Sequence, residues 1–399
     1  MKDSHRSVVR RSITPENAGR PLSPPLATSV MYHYESLSQM QSLHEQEITG
    51  FTYARDGHPN AVALADKISW MEGANIGIMT ASGMSAITAA FLSVLRKGDS
   101  IAAASQLYGR SLKLVGGELP RLGFETRYFH ASNPDTFAAA ITPETRIVIA
   151  EVVSNPMVRV THFEALADAA KKAGALLLVD NTFTTPNGFN PLAHGADLVM
   201  HSVTKMLSGH SDLNLGYIGG NDQELMTQID DLIATMGFNA SPYNCWLAER
   251  GLNTFDLRYR QSQENAEKLV GLLENHPMVS KVHYPGLEGH ADHALAKTLL
   301  HNGFGAMVSF VLRGGRTQAD IFLKAAENIP YGPTLGDVAT IVIMPAFSSH
   351  RKLPREERQA LGIEDNLIRV SLGIEDFELI NKDFTKALDA VHMAISGPK

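Results

Sequence analysis

Between residues 60 and 240 the chain alternates helical stretches with short, mostly apolar runs, and this alternation leaves few folds open. The pattern predicts helices over 61–71, 85–95, 111–122 and 163–173, and strands over 100–104, 125–129, 146–152, 176–179 and 197–200. A strand with one wet face alternates apolar and polar residues. These runs do not, so both faces of their sheet are covered, and the intervening helices are the cover. A mostly parallel α/β sheet follows, and ligands of such sheets lie at the carboxyl ends of the strands.

Two of these strands end in chemistry. The run 176–179 stops at Asp180, and the run 197–200 leads through His201-Ser202-Val203-Thr204 to Lys205. A lysine and a carboxylate so placed suit pyridoxal phosphate. The amine holds the aldehyde as a Schiff base, and the carboxylate keeps the pyridine nitrogen protonated so that the ring accepts electrons. The segment Thr80-Ala81-Ser82-Gly83-Met84-Ser85 opens a helix, where free N–H groups and the helix dipole favour a phosphate. Tyr108, just after the strand 100–104, can stack on a planar ring. Arg369 lies in the apolar run Leu367-Ile368-Arg369-Val370-Ser371 and needs a carboxylate partner. That partner is either structural or the α-carboxylate of a substrate held by both arms of the guanidinium.

Other chemistries are excluded. No GxGxxG fingerprint and no P-loop occur. Gly209-His210-Ser211-Asp212 gathers triad residue types but lacks a nucleophile elbow. His283, His290 and His293 read as a polar surface turn, because no pair sits at i and i+4 to hold zinc. A net charge of −7 gives nucleic acid no electrostatic support. No window approaches the ~18 apolar residues that span a membrane. The single cysteine, Cys245, cannot form an internal disulfide, fits a reducing compartment and reads as a small buried hydrophobe.

Residues 1–55 hold several prolines (Pro15, Pro21, Pro24, Pro25) and read as an extended arm with one short helix near 36–47. The basic start, 1–12, lacks the apolar stretch of a secretory signal and reads as a loose surface arm. The chain is helical through 221–260, and a long helix over 261–275 stops at Pro277. Strands at 279–283, 306–311 and 341–344 and helices at 318–326 and 376–394 make a smaller α+β unit. The expected organisation is an arm (1–55), an α/β domain (56–255) and a C-terminal α+β domain (256–399).

These segments resemble the transsulfuration, or Cys/Met-metabolism, family of pyridoxal-phosphate enzymes, from Pro24-Pro25-Leu26 to Leu388. The most specific pieces are Asp180-Asn181-Thr182-Phe183 and the stretch from His201 to Lys205 followed by Ser208-Gly209-His210. Tyr53-Ala54-Arg55, Ser82-Gly83-Met84, Leu107-Tyr108-Gly109, Ser154-Asn155-Pro156 and Arg369-Val370-Ser371-Leu372-Gly373 support them. The resemblance implies the type I, aspartate-aminotransferase-like fold. It implies chemistry at the γ- or β-carbon of a sulfur-containing or O-acylhomoserine-type amino acid, most of all of the cystathionine γ-lyase or γ-synthase kind.

The same resemblance assigns roles. Lys205 is the Schiff-base lysine and proton shuttle, Asp180 pairs with the ring nitrogen, and Tyr108 stacks on the ring and serves in acid–base steps. Gly83, Met84, Ser202 and Thr204 hold the phosphate, and Thr182 joins the cofactor site. Asn155 contacts the ring hydroxyl and Arg369 the substrate carboxylate. Tyr53 and Arg55 reach the cofactor of a neighbouring subunit, in a cytoplasmic homotetramer built as a dimer of dimers.

Departures from the family pattern fall where the substrate sits. Arg110, two places after the stacking tyrosine, argues against a methionine γ-lyase. Arg110 or Lys113 can meet a distal carboxylate. Phe347 stands in for a serine, and Tyr331-Gly332-Pro333-Thr334-Leu335-Gly336 and Leu213-Asn214-Leu215-Gly216 are also unusual. A non-standard γ-substituted amino acid is therefore expected.

Overall fold

A computed structural model describes residues 18–19, 21–351 and 353–396, so the basic start at 1–12 and Pro15 lie outside the described residues. The larger sheet has seven strands: β1 (Ile76–Thr80), β2 (Ser100–Ala104), β3 (Glu125–Phe129), β4 (Thr145–Glu151), β5 (Leu176–Asp180), β6 (Leu198–Ser202) and β7 (Gly216–Gly220). Their order is β1-β7-β6-β5-β4-β2-β3. Only β7 runs against its neighbours. The other pairings are parallel. Strands β2, β4, β5 and β6 are buried almost throughout, as their unbroken apolar runs require.

Sequence pattern misses β1, β7 and the strand Leu367–Ser371, and packing explains the first two. Gly77 and Gly219 are register partners across these strands, and the ring of Tyr217 lies over both. A Cβ on Gly77 would sit 2.5 Å from that ring. The Tyr217 hydroxyl, fully buried, is paired with Ser69 Oγ at 2.9 Å. Glycine and tyrosine thus replace the apolar signature at this edge.

The expected helix over 111–122 is one helical stretch from Gly109 to Arg121 whose middle, Leu114–Glu118, is a wide π turn. Glycine matters at the end of the helix Phe163–Ala173, where Gly174 at φ 69° reverses the chain toward β5.

A second sheet holds β8 (Val279–His283), β9 (Met307–Leu312), β10 (Ile341–Ile343) and β11 (Leu367–Ser371), all antiparallel in the order β10-β11-β9-β8. Its core centres on Phe310, Phe322 and Phe384, whose rings meet at 5.7–6.4 Å. His283 corrects an expectation: it closes β8 at 7 % exposure, not on a surface turn. Burial pushes its imidazole down to about 4.

Within the arm, the helix Leu37–His44 contributes no buried residue. The arm is tied down by Trp246, whose Nε1 donates to the Pro24 carbonyl, and by Asn60, which accepts from Ala27 N. Among the described residues no helix is long and apolar enough to cross a membrane.

Candidate active site

Parallel register does the first part of the assembly. Glu151, Asp180 and Met200 are paired across β4, β5 and β6, so three strands end in line. After β6 the chain turns tightly. Lys205 N donates to Ser202 O, and Gly209 N to Lys205 O. The turn delivers Lys205 to the strand ends. A cavity of about 250 Å³ opens there, lined by Lys205, Asp180, Tyr108, Asn155, Glu151 and Arg369 among others. Alternation along β6 sorts the motif: Met200 and Ser202 line the cavity, while buried His201 turns away to hydrogen-bond Glu72.

The charges around this cavity are poorly solvated. Burial, then the nearby Arg369, lowers the Lys205 pKa from its ordinary value. Its Nζ donates to Thr334 Oγ1 at 3.1 Å. Burial raises the Asp180 carboxyl, opposed by hydrogen bonds from Thr182, whose N–H lies 3.0 Å away. Among the described residues no cationic side chain forms an ion pair with Asp180. A buried carboxylate in that condition calls for a cationic donor.

Arg369 settles an alternative left open by its sequence. It is 3 % exposed, and among the described residues no carboxylate pairs with it. Nη1 donates to Asn155 Oδ1 at 2.9 Å and Nη2 to the Thr334 carbonyl at 2.6 Å. Nε has no partner. Burial pushes the guanidinium down to about 10, so it remains charged at neutral pH. Among the described residues Arg369 forms no structural ion pair, and three of its five N–H groups are left without a partner.

The helix Gly83–Val94 supplies an anion cradle. Ser82 Oγ accepts from Ser85 N, which leaves the first N–H groups, at Gly83 and Met84, to the cavity these residues line. A Cβ on Gly83 would lie 2.9 Å from that of Ser202, so glycine alone lets the helix end meet β6. Thr182 Oγ1 accepts from Ser202 N, and the Thr204 hydroxyl exchanges hydrogen bonds with the Leu215 backbone. These two threonines brace the walls with their hydroxyls. An anion cradle, an unpaired buried carboxylate and a desolvated amine around one cavity are the donor set that pyridoxal phosphate requires.

A larger cavity, about 1080 Å³, continues outward past Tyr108 and Ser349, which line both. Arg110, Lys113 and Phe347 line it. The Phe347 ring lies 5.0 Å from the Arg316 guanidinium, and Lys113 Nζ is 3.8 Å from Glu118 on the surface. Tyr53 and Arg55 line neither cavity. Arg55 stacks over its own Tyr53 at 5.2 Å and touches Asp56.

Sequence reasoning passes over Glu151 and gives Thr334 no role. An acidic residue closing an apolar run is the signal that singles out Asp180, whereas Glu151 interrupts a run that continues through Val152 and Val153 and so carries a weaker mark. For Thr334 there is no such signal, since its place is made by a loop folding back on Lys205.

Comparison with known proteins agrees with this geometry. The family model for Cys/Met metabolism PLP-dependent enzymes matches residues 6–389. A cystathionine gamma-lyase from Bacillus subtilis is 38 % identical over 86 % of this chain and 90 % of its own length. An L-methionine gamma-lyase from Fusobacterium nucleatum is 35 % identical over 93 % of this chain and 94 % of its own. The crystal structure of cystathionine gamma synthase from Xanthomonas oryzae in complex with cystathionine superposes with a TM-score of 0.88 at 35 % identity, covering 93 % of this chain and 94 % of that one.

Proposed function

Since this chain belongs to the Cys/Met-metabolism family of pyridoxal-phosphate-dependent enzymes, we propose that it eliminates or replaces the γ-substituent of an L-amino acid of the cystathionine or O-acylhomoserine type. The observation that carries this reading is buried Arg369, without a carboxylate partner among the described residues, on the same cavity as Lys205 and Asp180. An α-carboxylate there places the substrate's Cα beside a lysine amine.

When bound, pyridoxal phosphate supplies an aldehyde for the amine and a ring that takes up electrons released from the substrate carbons. The chain's residues do the rest. Lys205 anchors the group and then moves protons at Cα and Cβ. Burial lowers its pKa, which readies the amine to accept them. Asp180 holds the ring nitrogen. Gly83, Met84 and Ser202 hold the phosphate, with Thr182 and Thr204 bracing the cradle. Tyr108 covers the ring and handles the leaving group's proton. Asn155 holds Arg369 and meets the ring hydroxyl.

The outer cavity sets the substrate class. Arg110 and Lys113 on its wall suit a γ-substituent that ends in a carboxylate. Phe347 narrows the same space. Arg110 in this position speaks against methionine as the best substrate.

We place the active form as a homotetramer in the cytoplasm, with Tyr53 and Arg55 serving a neighbouring subunit's site. Their exposure in one chain and their absence from the lining of either cavity support this.

A substrate panel tests the reading. Cystathionine, O-acetyl- and O-succinyl-homoserine, methionine, homocysteine and cysteine are offered with and without thiol, and oxo-acid, ammonia and thioether are read out. Turnover of substrates with a distal carboxylate, together with a visible cofactor band that Lys205→Ala abolishes, is expected. Methionine as the best substrate, or purified protein with no such band in excess cofactor, overturns it.

A further inference from the structure

Glu151 is the third carboxyl-end residue of the parallel strands, and nothing above gives it work. It closes β4 beside Asp180, is 5 % exposed and lines the inner cavity. Both of its carboxylate oxygens are committed. Oε1 accepts from Tyr108 N at 2.6 Å, and Oε2 accepts from Asn155 N at 3.2 Å. Among the described residues it has no cationic partner.

Those two donors belong to two different parts of the site. Tyr108 precedes the short helix Gly109–Lys113, and no hydrogen bond holds its hydroxyl among the described residues. Its ring is therefore aimed by its backbone. One side of that backbone is bound by Glu151. The other is wedged by the Ser349 carbonyl, which would lie 2.3 Å from a Cβ on Gly109. Asn155 is the residue whose side chain holds Arg369. Glu151 thus joins the ring-covering tyrosine to the carboxylate-binding arginine, over a sequence separation of 214 residues for the last link alone.

We propose that Glu151 is a positioning residue, a buried two-oxygen acceptor that sets Tyr108 and the Asn155–Arg369 arm in register over the bound cofactor. It touches neither substrate nor cofactor in this role. The inference rests on the cofactor reading given above. A carboxyl is required because a single acceptor serves only one of the two N–H groups. Burial and the neighbouring Asp180 push its pKa well up, opposed by the same two N–H donors, so the site spends charge solvation to keep this geometry.

Glu151→Gln tests it, because it preserves shape and replaces one acceptor with an NH2 that faces a backbone N–H. The measurements are the visible absorption and visible circular dichroism of the holoenzyme, kcat and KM for its best amino acid, and the thermal midpoint. The absorption band should persist, showing that cofactor still binds. The circular dichroism of that band should change by half or more, and kcat/KM should fall at least tenfold. Glu151→Asp keeps both oxygens on a shorter arm and should lie between. Thr161→Val is the control: its Oγ1 donates to the Glu151 backbone carbonyl at 2.6 Å, so it loosens the same strand end without touching the carboxylate. It should lower the thermal midpoint and leave dichroism and kcat/KM near wild type.

If Glu151→Gln lowers only the thermal midpoint, or if Thr161→Val alters dichroism and kcat/KM equally, Glu151 is a brace and the proposal is wrong. If Glu151→Gln does not fold, Glu151→Asp decides: wild-type dichroism and kcat/KM in that variant overturn the proposal, and an intermediate loss supports it. A wild-type protein without the visible band instead defeats the cofactor reading, which keeps the two failures apart.

Discussion

Replacing Arg369 by lysine isolates the substrate clamp, because it keeps a positive charge and removes the fork. Of the five guanidinium N–H groups, one on Nη1 is held by Asn155 and one on Nη2 by Thr334, so three have no partner among the described residues. An α-carboxylate arriving there takes two charge-assisted hydrogen bonds, each contributing about 1.5–3 kcal/mol. Lysine retains a point charge but not the paired geometry. The expected loss is then near the lower end for two bonds, about 3 kcal/mol, or a little over a hundredfold in kcat/KM. The assay is steady-state turnover of the best amino acid beside its decarboxylated amine, on wild type and Arg369→Lys. Wild type should prefer the amino acid by about two orders of magnitude, and the variant should lose most of that preference. A loss of equal size for the amine, which has no carboxylate to bind, would falsify the assignment. So would a change below tenfold for the amino acid.

Arg258 clamps the lysine turn by donating to the carbonyls of Met206, Leu207 and Gly251. Arg258→Met should cost about 2 kcal/mol in chemical denaturation, roughly 1 for each of the Met206 and Leu207 carbonyls it orphans, while Gly251 O keeps Thr254 as a donor, and should speed loss of cofactor on dialysis. Gly109→Ala drives a Cβ into the Ser349 carbonyl, and should lower both the thermal midpoint and kcat by shifting the junction of the two cavities. His283 and His350 are buried, with pKa values pushed down to about 4 from 6.5. Below pH 6.5 the unfolded chain binds protons that the folded one refuses. Stability should therefore hold above pH 6.5 and fall as pH drops from 6.5 toward 4, by about 3 kcal/mol for each histidine. Melting curves of His350→Gln should show a shallower acid limb, and an unchanged limb refutes the assignment. Cys245 is buried, and its thiol is pushed up to about 12 by burial and Glu249. Thiol reagents should leave the folded protein unmodified until denaturant is added, as mass spectrometry can report.

Much of this was legible in the chain because it depends on near neighbours. Unbroken apolar runs between helices announced buried parallel strands, and Lys205, Asp180 and the helix start at Ser82 stand next to such runs. Among the strands that escaped, β1 and β7 are those where Gly77, Gly219 and Tyr217 fit one another. That fit spans distant segments, so neither segment carries its mark alone. Likewise His283 looked like part of a polar turn, because its burial comes from what folds over it.

The order of residues alone determined the alternation of strand and helix and the kinds of chemical group at the strand ends, since propensity and periodicity act over a few positions. Only the folded chain decided which groups meet. It put the Arg369 fork against Asn155 and the Thr334 carbonyl with no carboxylate partner among the described residues, and it set the Lys205 amine against Thr334. It also gave Glu151 two backbone donors from separate segments, Tyr108 and Asn155. Such meetings follow from register between strands and loops far apart in sequence, and register is a property of packing.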